Sequence, residues 1–274
     1  MKIYIPTRGR TDRQSTWDEL PVSLKENTVL VCPAEEMEAH TKLGRNVLPC
    51  PVEGIIRKRQ WILDNCQERF MAMLDDDLIF LRRKSPAAWN LRRCEPDDVL
   101  DLFAWAQSLG EDYAQVGVSP RQGNNRFYPD DVVLNNRVTN FHVYDVPMIK
   151  SLGIRFQDPF FPDTFTMEDF AVSLSLLEAG YPNAIITDFA WDQFGSNTSG
   201  GCSLYRTRDT QAESAHLLAL RHPGFVRVTE KETKGGWSGV ANGDGAALHG
   251  GIRTDVVISW KKAYEHGALI RKAA

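Results

Sequence analysis

The chain has 274 residues, 42% of them hydrophobic and 25% charged, with a formal net charge of -4. That is ordinary for a folded soluble protein, long enough for one large domain or two small ones. It excludes a globally basic nucleic-acid binder, so any pull toward DNA or RNA must come from a local patch.

Five cysteines, at positions 32, 50, 66, 94 and 202, show no paired metal-binding spacing. An odd, unpaired set speaks for a reducing compartment and against a zinc module. No apolar run approaches membrane-spanning length. A strand that begins at Lys2 leaves no room for a signal peptide, so the expectation is a cytoplasmic protein without membrane contact.

In chain order, 2–6 reads as a strand, followed by a Thr7-Arg8-Gly9-Arg10 loop and a helical turn near 11–17. A second strand covers 28–32 and stops at Pro33. A helix over 34–43 ends at Gly44, and a short strand lies within 46–52. Gly54 opens a helix to about 66, with Ile55, Ile56, Ile62, Leu63 and Cys66 on one face. The next strand covers 70–74. Strands alternating with helices in this way predict a parallel α/β sheet.

Further on, a helix is expected over 96–109, a strand over 114–119, a polar loop or lid over 121–136 and a strand over 138–146. The aromatic, proline-rich 156–165 reads as an ordered loop. A helix over 168–179 is capped by Gly180, and a strand covers 184–187. After them come a Ser/Gly-rich loop at 197–202, a helix over 209–221, a strand over 225–228, a mobile glycine-rich stretch over 234–251 and a closing helix over 259–266.

The richest chemistry lies in Met71-Ala72-Met73-Leu74-Asp75-Asp76-Asp77-Leu78-Ile79-Phe80, three carboxylates between two apolar runs. On a strand, Asp75 and Asp77 would share one face and Asp76 the other. Three adjacent anions repel, and burying them unpaired is costly. A hard divalent cation with oxygen ligands resolves that conflict. The plain alternative is an acidic turn between two strands.

Gly54-Ile55-Ile56-Arg57-Lys58-Arg59 places three cations at a helix start, against the helix dipole. That predicts a compensating anion, such as phosphate, with a solvated surface face as the alternative. Glu168-Asp169 opens an apolar helix, which is either a favourable N-terminus or a site for a general base. Asn140 and His142 share one face of their strand, opposite Phe141 and Val143, and point toward a pocket. Arg121, Asp188, Trp191 and Asp192 follow strand ends. Basic clusters at Arg82-Arg83-Lys84, Arg92-Arg93, Arg206 with Arg208, Lys231 with Lys234, and Lys261-Lys262, with Trp89 between the first two, could meet a nucleic acid or form a solvated face.

The order strand, Thr-Arg-Gly-Arg loop, strand, Arg-rich helix, strand, Asp-Asp-Asp resembles the GT-A class of nucleotide-sugar glycosyltransferases. The opening Lys2-Ile3-Tyr4-Ile5-Pro6-Thr7-Arg8-Gly9-Arg10, with Leu74-Asp75-Asp76-Asp77 and Met167-Glu168-Asp169-Phe170, resembles the phage TET-associated glycosyltransferases over residues 1 to about 225. The resemblance implies a single Rossmann-like GT-A domain over 1–274, a mainly parallel sheet flanked by helices. Residues 1–115 would form the nucleotide-sugar half and 116–274 the acceptor half.

It implies a D-x-D motif in which Asp75 and Asp77 bind Mn²⁺ or Mg²⁺ on the donor diphosphate, with His216 as the third ligand. His222 and His249 are weaker candidates for that place. It puts Thr7, Arg8, Arg10, Arg57 and Asp76 at the donor. Asp169 is expected as the base with Glu168 beside it, and Arg121, His142 and Trp191 at the acceptor. The activity implied is transfer from a UDP-sugar to 5-hydroxymethylcytosine in phage double-stranded DNA. A saccharide or protein acceptor, or nucleotidyl transfer, are the alternatives.

Overall fold

A computed structural model describes residues 1–85, 88–193, 207–232 and 252–273, and the backbone course of 236–241 and 247–249. The expected 197–202 loop, Arg206, Lys234 and most of the 234–251 stretch lie outside the described residues.

The chain opens with β1 (Lys2–Pro6), two short helices α1 (Ser15–Glu19) and α2 (Val22–Lys25), then β2 (Thr28–Cys32), α3 (Met37–Lys42) and β3 (Val47–Pro49). Helix α4 (Ile55–Asn65) leads into β4 (Phe70–Leu74). Beyond the acidic triplet come β5 (Leu78–Arg83), β6 (Leu91–Arg93), α5 (Pro96–Leu109), β7 (Gln115–Pro120), β8 (Val132–Leu134), β9 (Phe141–Asp145), α6 (Val146–Ser151) and α7 (Glu168–Glu178). The remainder is β10 (Asn183–Gln193), α8 (Arg208–Arg221), β11 (Val226–Glu232), β12 (Gly236–Ala241), β13 (Ala247–His249), β14 (Ile252–Ile258) and α9 (Trp260–Ala273).

The central sheet runs β3-β2-β1-β4-β9-β7-β10-β5-β6, with β8 paired to β10. Strands β3, β2, β1 and β4 are mutually parallel, and β7 pairs in parallel with β10. Strand β9 runs against both β4 and β7, so it joins these two groups without reversing their common direction. The mainly parallel α/β sheet read from the sequence is therefore present.

Alternation along the central strands fills two cores. Ile3, Ile5, Ala72, Leu74, Phe141 and Val143 pack with Val99, Leu102 and Phe103 of α5 on one face. Tyr4, Met71, Met73 and Tyr144 pack with Ile62, Leu63, Val172 and Leu176 of α4 and α7 on the other. Burial on both faces explains why these strands read as continuous apolar runs. A third core joins α7, α8, α9, β11 and β14.

Several expectations change. The strand ending at 187 continues to Gln193, with a register shift between Ile186 and Ala190 that breaks the alternation. Asp188, Trp191 and Asp192 are thus inside β10 rather than after a strand end. The 121–136 loop is pinned down: Asn124 is buried and its amide donates to Ser119 Oγ (2.5 Å) and the Thr187 carbonyl (2.9 Å). The strand expected from 138 starts at Phe141 and gives way to α6, where the Asp145 carboxylate accepts from the Met148 N–H as an N-cap.

Candidate active site

Strands β1 and β4 lie side by side and parallel, so their C-terminal ends open on the same sheet edge. In an open α/β sheet that edge is where ligands bind. The loop after β1 and the triplet after β4 meet there. The triplet is not a hairpin turn, because β4 pairs with β1 and β9 while β5 pairs with β10 and β6. It is the point where the chain leaves the sheet centre and crosses to the far strands. Thr16 fixes it from behind, its hydroxyl donating to the Asp75 carbonyl (2.5 Å) and accepting from the Leu78 N–H (2.8 Å).

The three carboxylates have different surroundings. Asp76 is buried, accepting from Thr7 Oγ1 (2.5 Å) and pairing with Arg10 Nη1 (2.5 Å). Gln14 completes this knot by donating to Thr7 Oγ1 at 2.8 Å. Asp77 shares Arg10 with Asp76, at 3.2 Å, rather than sharing the partners of Asp75 as strand alternation predicted, because the triplet lies beyond the end of β4. Asp75 turns the other way and accepts from Arg59 Nη2 (2.8 Å) and Asn140 Nδ2 (2.8 Å). The side chains of Asp75 and Asp77 stay 30% and 22% accessible, against 7% for Asp76. The two outer carboxylates are therefore the ones open to a ligand.

Burial, followed by the charges of Asp75 and Asp76, pushes the Asp77 carboxyl up to about 7. Burial also raises Asp76, against the opposing pull of Arg10. Five carboxyl groups, Asp75, Asp76, Asp77, Glu168 and Asp169, thus crowd around two arginines, Arg10 and Arg59. An all-oxygen donor set with that imbalance suits a hard divalent cation. Among the described residues no third His, Cys, Asp or Glu completes a metal cluster. His216 is exposed on α8, and α8 packs on β14 and β11 rather than on the triplet.

Helix α4 supplies the residue that ties the site together. Ile56, Arg59 and Leu63 follow helical i, i+3, i+7 spacing and are buried. Arg59 is carried on that inward stripe to Asp75, to Glu168 Oε1 (3.3 Å) and to Asp169, with its side chain only 4% exposed. Its neighbours do other work. Lys58 Nζ donates to the Thr7 carbonyl at 2.6 Å, holding the β1 loop. Arg57, expected at the donor, is exposed and paired with Asp163. The anions that compensate Arg57 and Arg59 are carboxylates of the chain itself. Arg8 is likewise half-exposed and reaches Glu53 at 3.1 Å.

Glu168 and Asp169 open α7, where negative charge suits the helix dipole. Beneath Asp169 lies His142, fully buried, its Nε2 3.3 Å from Asp169 Oδ1 and its Nδ1 3.1 Å from the Tyr144 hydroxyl. Burial, with the Arg59 charge beside it, drives the His142 pKa well below its ordinary value. That disfavours the charged ring, whose Nδ1 faces the Tyr144 hydroxyl and whose Nε2 faces Asp169. Asn140 lies just before β9 rather than on it, yet it and His142 both face carboxylates, Asp75 and Asp169. Trp191 is buried in the first core with its indole donating to the Val118 carbonyl (2.9 Å), so it forms part of the wall rather than an acceptor surface. Arg121 is exposed and paired with Asp192 at 2.7 Å.

Sequence reading faced Asn140 toward a pocket without giving it a role, and it did not single out Arg59, Gln14 or Thr16 as site residues. For Arg59 the signal was its place on the apolar stripe of α4. Asn140 carries a left-handed φ of 64°, which asparagine tolerates and most residues resist, but a φ is invisible in sequence.

Among solved structures, S. aureus TarS 1–349 in complex with UDP-GlcNAc is 16% identical, with a TM-score of 0.52 over 81% of this chain and 66% of that one. The chain covers 65 and 66% of the length of two TarS 1–349 structures. Glucosyl-3-phosphoglycerate synthase from Mycobacterium tuberculosis, in complex with Mg²⁺ and uridine-diphosphate, is 10% identical, with a TM-score of 0.48 over 90% of this chain and 86% of that one. GalNAc-T7 with UDP, GalNAc and Mn²⁺ is also 10% identical, with a TM-score of 0.48 over 79% and 47%. The central sheet is that of the GT-A fold. No curated protein matches the sequence. The pattern of the TET-Associated Glycosyltransferase family matches residues 1–201, and the chain belongs to that family.

Proposed function

We propose that the protein moves a sugar from a UDP-sugar to the hydroxymethyl group of 5-hydroxymethylcytosine in DNA, with Mn²⁺ or Mg²⁺ as cofactor. The observation that carries this reading is that Arg59 gathers Asp75 of the triplet with Glu168 and Asp169 at the edge of the sheet where β1 and β4 end, with Asp77 two residues on and partly open. Asp75 and Asp77 would hold the cation. When bound, it would neutralise charge on the departing diphosphate.

The chain's own residues do the rest. The Thr7–Arg10 loop, fixed by Asp76 and Lys58, forms the wall against which the nucleotide lies. Asp169 takes the proton of the acceptor hydroxyl as that oxygen bonds to the anomeric carbon, and the carbon–oxygen bond to UDP breaks with its electron pair leaving on UDP. His142 and Arg59 fix the direction in which Asp169 faces.

The test is mass spectrometry of hydroxymethylcytosine DNA incubated with a panel of sugar nucleotides and Mn²⁺. A hexose or N-acetylhexosamine mass on the DNA, with release of UDP rather than pyrophosphate, is the expected result. Unmodified DNA with every donor overturns the DNA reading, and pyrophosphate release would mark a nucleotidyltransferase instead.

One observation favours a second acceptor class. Arg82 is paired with Asp98 and Asp101, Arg83 with Asp131, Arg92 with Asp98, and Arg93 with Glu19, so the arginines of the basic cluster after the triplet are spent within the chain. A saccharide or protein acceptor fits such a neutralised surface, and transfer rates indifferent to salt would support it.

A further inference from the structure

Arg59 places one buried positive charge between the donor-side carboxylate and the acceptor-side pair. Its guanidinium reaches Asp75 Oδ1 at 2.8 Å, Glu168 Oε1 at 3.3 Å, and Asp169. Asp75 is held from its other oxygen by Asn140, which in turn holds Gln193 at 3.0 Å. The guanidinium and a divalent cation would therefore compete for the same carboxylate. A positive charge this close, in a site of reduced dielectric, opposes an incoming cation strongly.

We propose that Arg59 is a positioning residue that also makes cation loading depend on the donor. The free protein binds divalent cation poorly because Arg59 already neutralises Asp75. The cation becomes tightly held only when the donor diphosphate brings compensating negative charge. The same arginine, with His142, keeps Asp169 aimed. This rests on the proposed metal role of Asp75 and Asp77.

Calorimetric titration of Mn²⁺, with and without UDP, together with steady-state kinetics, tests it on the wild type and two variants. In the wild type, UDP should tighten Mn²⁺ binding by about tenfold or more. In Arg59→Gln, Mn²⁺ should bind the UDP-free protein about tenfold more tightly than it binds the wild type, so the dependence on UDP shrinks. In the same variant kcat should fall about 100-fold while the donor KM stays within about threefold, because Asp169 is no longer held. Loss of general structure would weaken both binding and turnover, whereas the proposal moves them in opposite directions.

Arg59→Lys keeps the charge without the fork, and it decides the matter should Arg59→Gln fail to fold. It should leave Mn²⁺ affinity near wild type and still lower kcat about tenfold or more. Unchanged or weaker Mn²⁺ binding in folded Arg59→Gln, or wild-type kcat in either variant, overturns the inference alone. A wild-type protein that binds no Mn²⁺ even with UDP overturns the metal reading and the inference with it.

Discussion

At Asp77 folding and function conflict. Its carboxyl is pushed up to about 7 by burial and by two neighbouring carboxylates, whereas an unfolded chain would titrate it near 4. Between those values the folded chain binds the extra proton, so folding stability falls as pH rises through that window. Asp77→Asn removes the cost. The metal-free variant should be about 1 kcal/mol more stable at pH 8, with a flatter dependence on pH, and should lose transfer. Urea unfolding at pH 5 and pH 8 checks the first part, and an unchanged slope between the two would contradict it. Asp169→Asn should keep donor binding and cut transfer by about 100-fold or more, the usual scale of a lost general base. Wild-type transfer rates would move that role elsewhere. Arg59 and Arg57, two positions apart on one helix, illustrate what sequence leaves open. Both are cations of the same first turns, yet one is carried to the carboxylates and the other to an exposed pair with Asp163.

At the scale of elements, α5 begins with a capping box: Glu95 and Asp98 satisfy each other's backbone N–H, with Pro96 in the first turn. Hydrogen bonds from Arg92, assisted by the Glu95 N–H and Arg82, hold the Asp98 carboxyl well below the usual range. A lowered folded pKa adds stability that is present above the unfolded value and lost as pH falls through the folded one. Asp98→Asn should therefore cost about 1 to 2 kcal/mol at neutral pH, the sum of a cap and a partly screened pair, and the difference should shrink below about pH 4. Thermal melts at pH 7 and pH 3 measure both. Helix α9 docks on α7 through Gly267, where an added Cβ would lie 2.3 Å from the Leu177 carbonyl oxygen and 2.4 Å from that of Glu178. Gly267→Ala should cost about 2 kcal/mol or more through overpacking, with transfer chemistry retained in what stays folded. An unchanged melting temperature would mean that α9 does not dock there in solution. The boundaries of β4 and α5 were legible from pattern alone, because strict burial on one or both faces leaves an unbroken sequence signal. Strand β10 was not, since its bulge interrupts the alternation where Thr187 and Asp188 turn their N–H groups to the Asp131 carbonyl.

Across the whole molecule, charge is balanced locally as well as overall. The arginines that follow the triplet in sequence are paired with Asp98, Asp101, Asp131 and Glu19, so few of them are available to phosphate. If DNA is the acceptor, the slope of log rate against log salt should be shallow, corresponding to about three phosphate contacts or fewer. Rates measured between 50 and 300 mM salt give that slope, and a steep dependence would require a basic surface made by other residues. No described helix is long and apolar enough to cross a membrane.

The sequence by itself determined the alternation of strands and helices from β1 to β4, the place of the acidic triplet at the end of a buried strand, and the acidic start of α7. Each of these depends on local pattern: apolar alternation, helical spacing, or the preference of carboxylates for a helix N-terminus. Only the tertiary structure decided which carboxylates stay open, which arginine joins them, and that His142 lies buried behind Asp169. Those facts depend on pairings such as β4 with β9 and on the packing of α4 against β1. A contact between residues separated by dozens of positions leaves no mark on the local pattern of either.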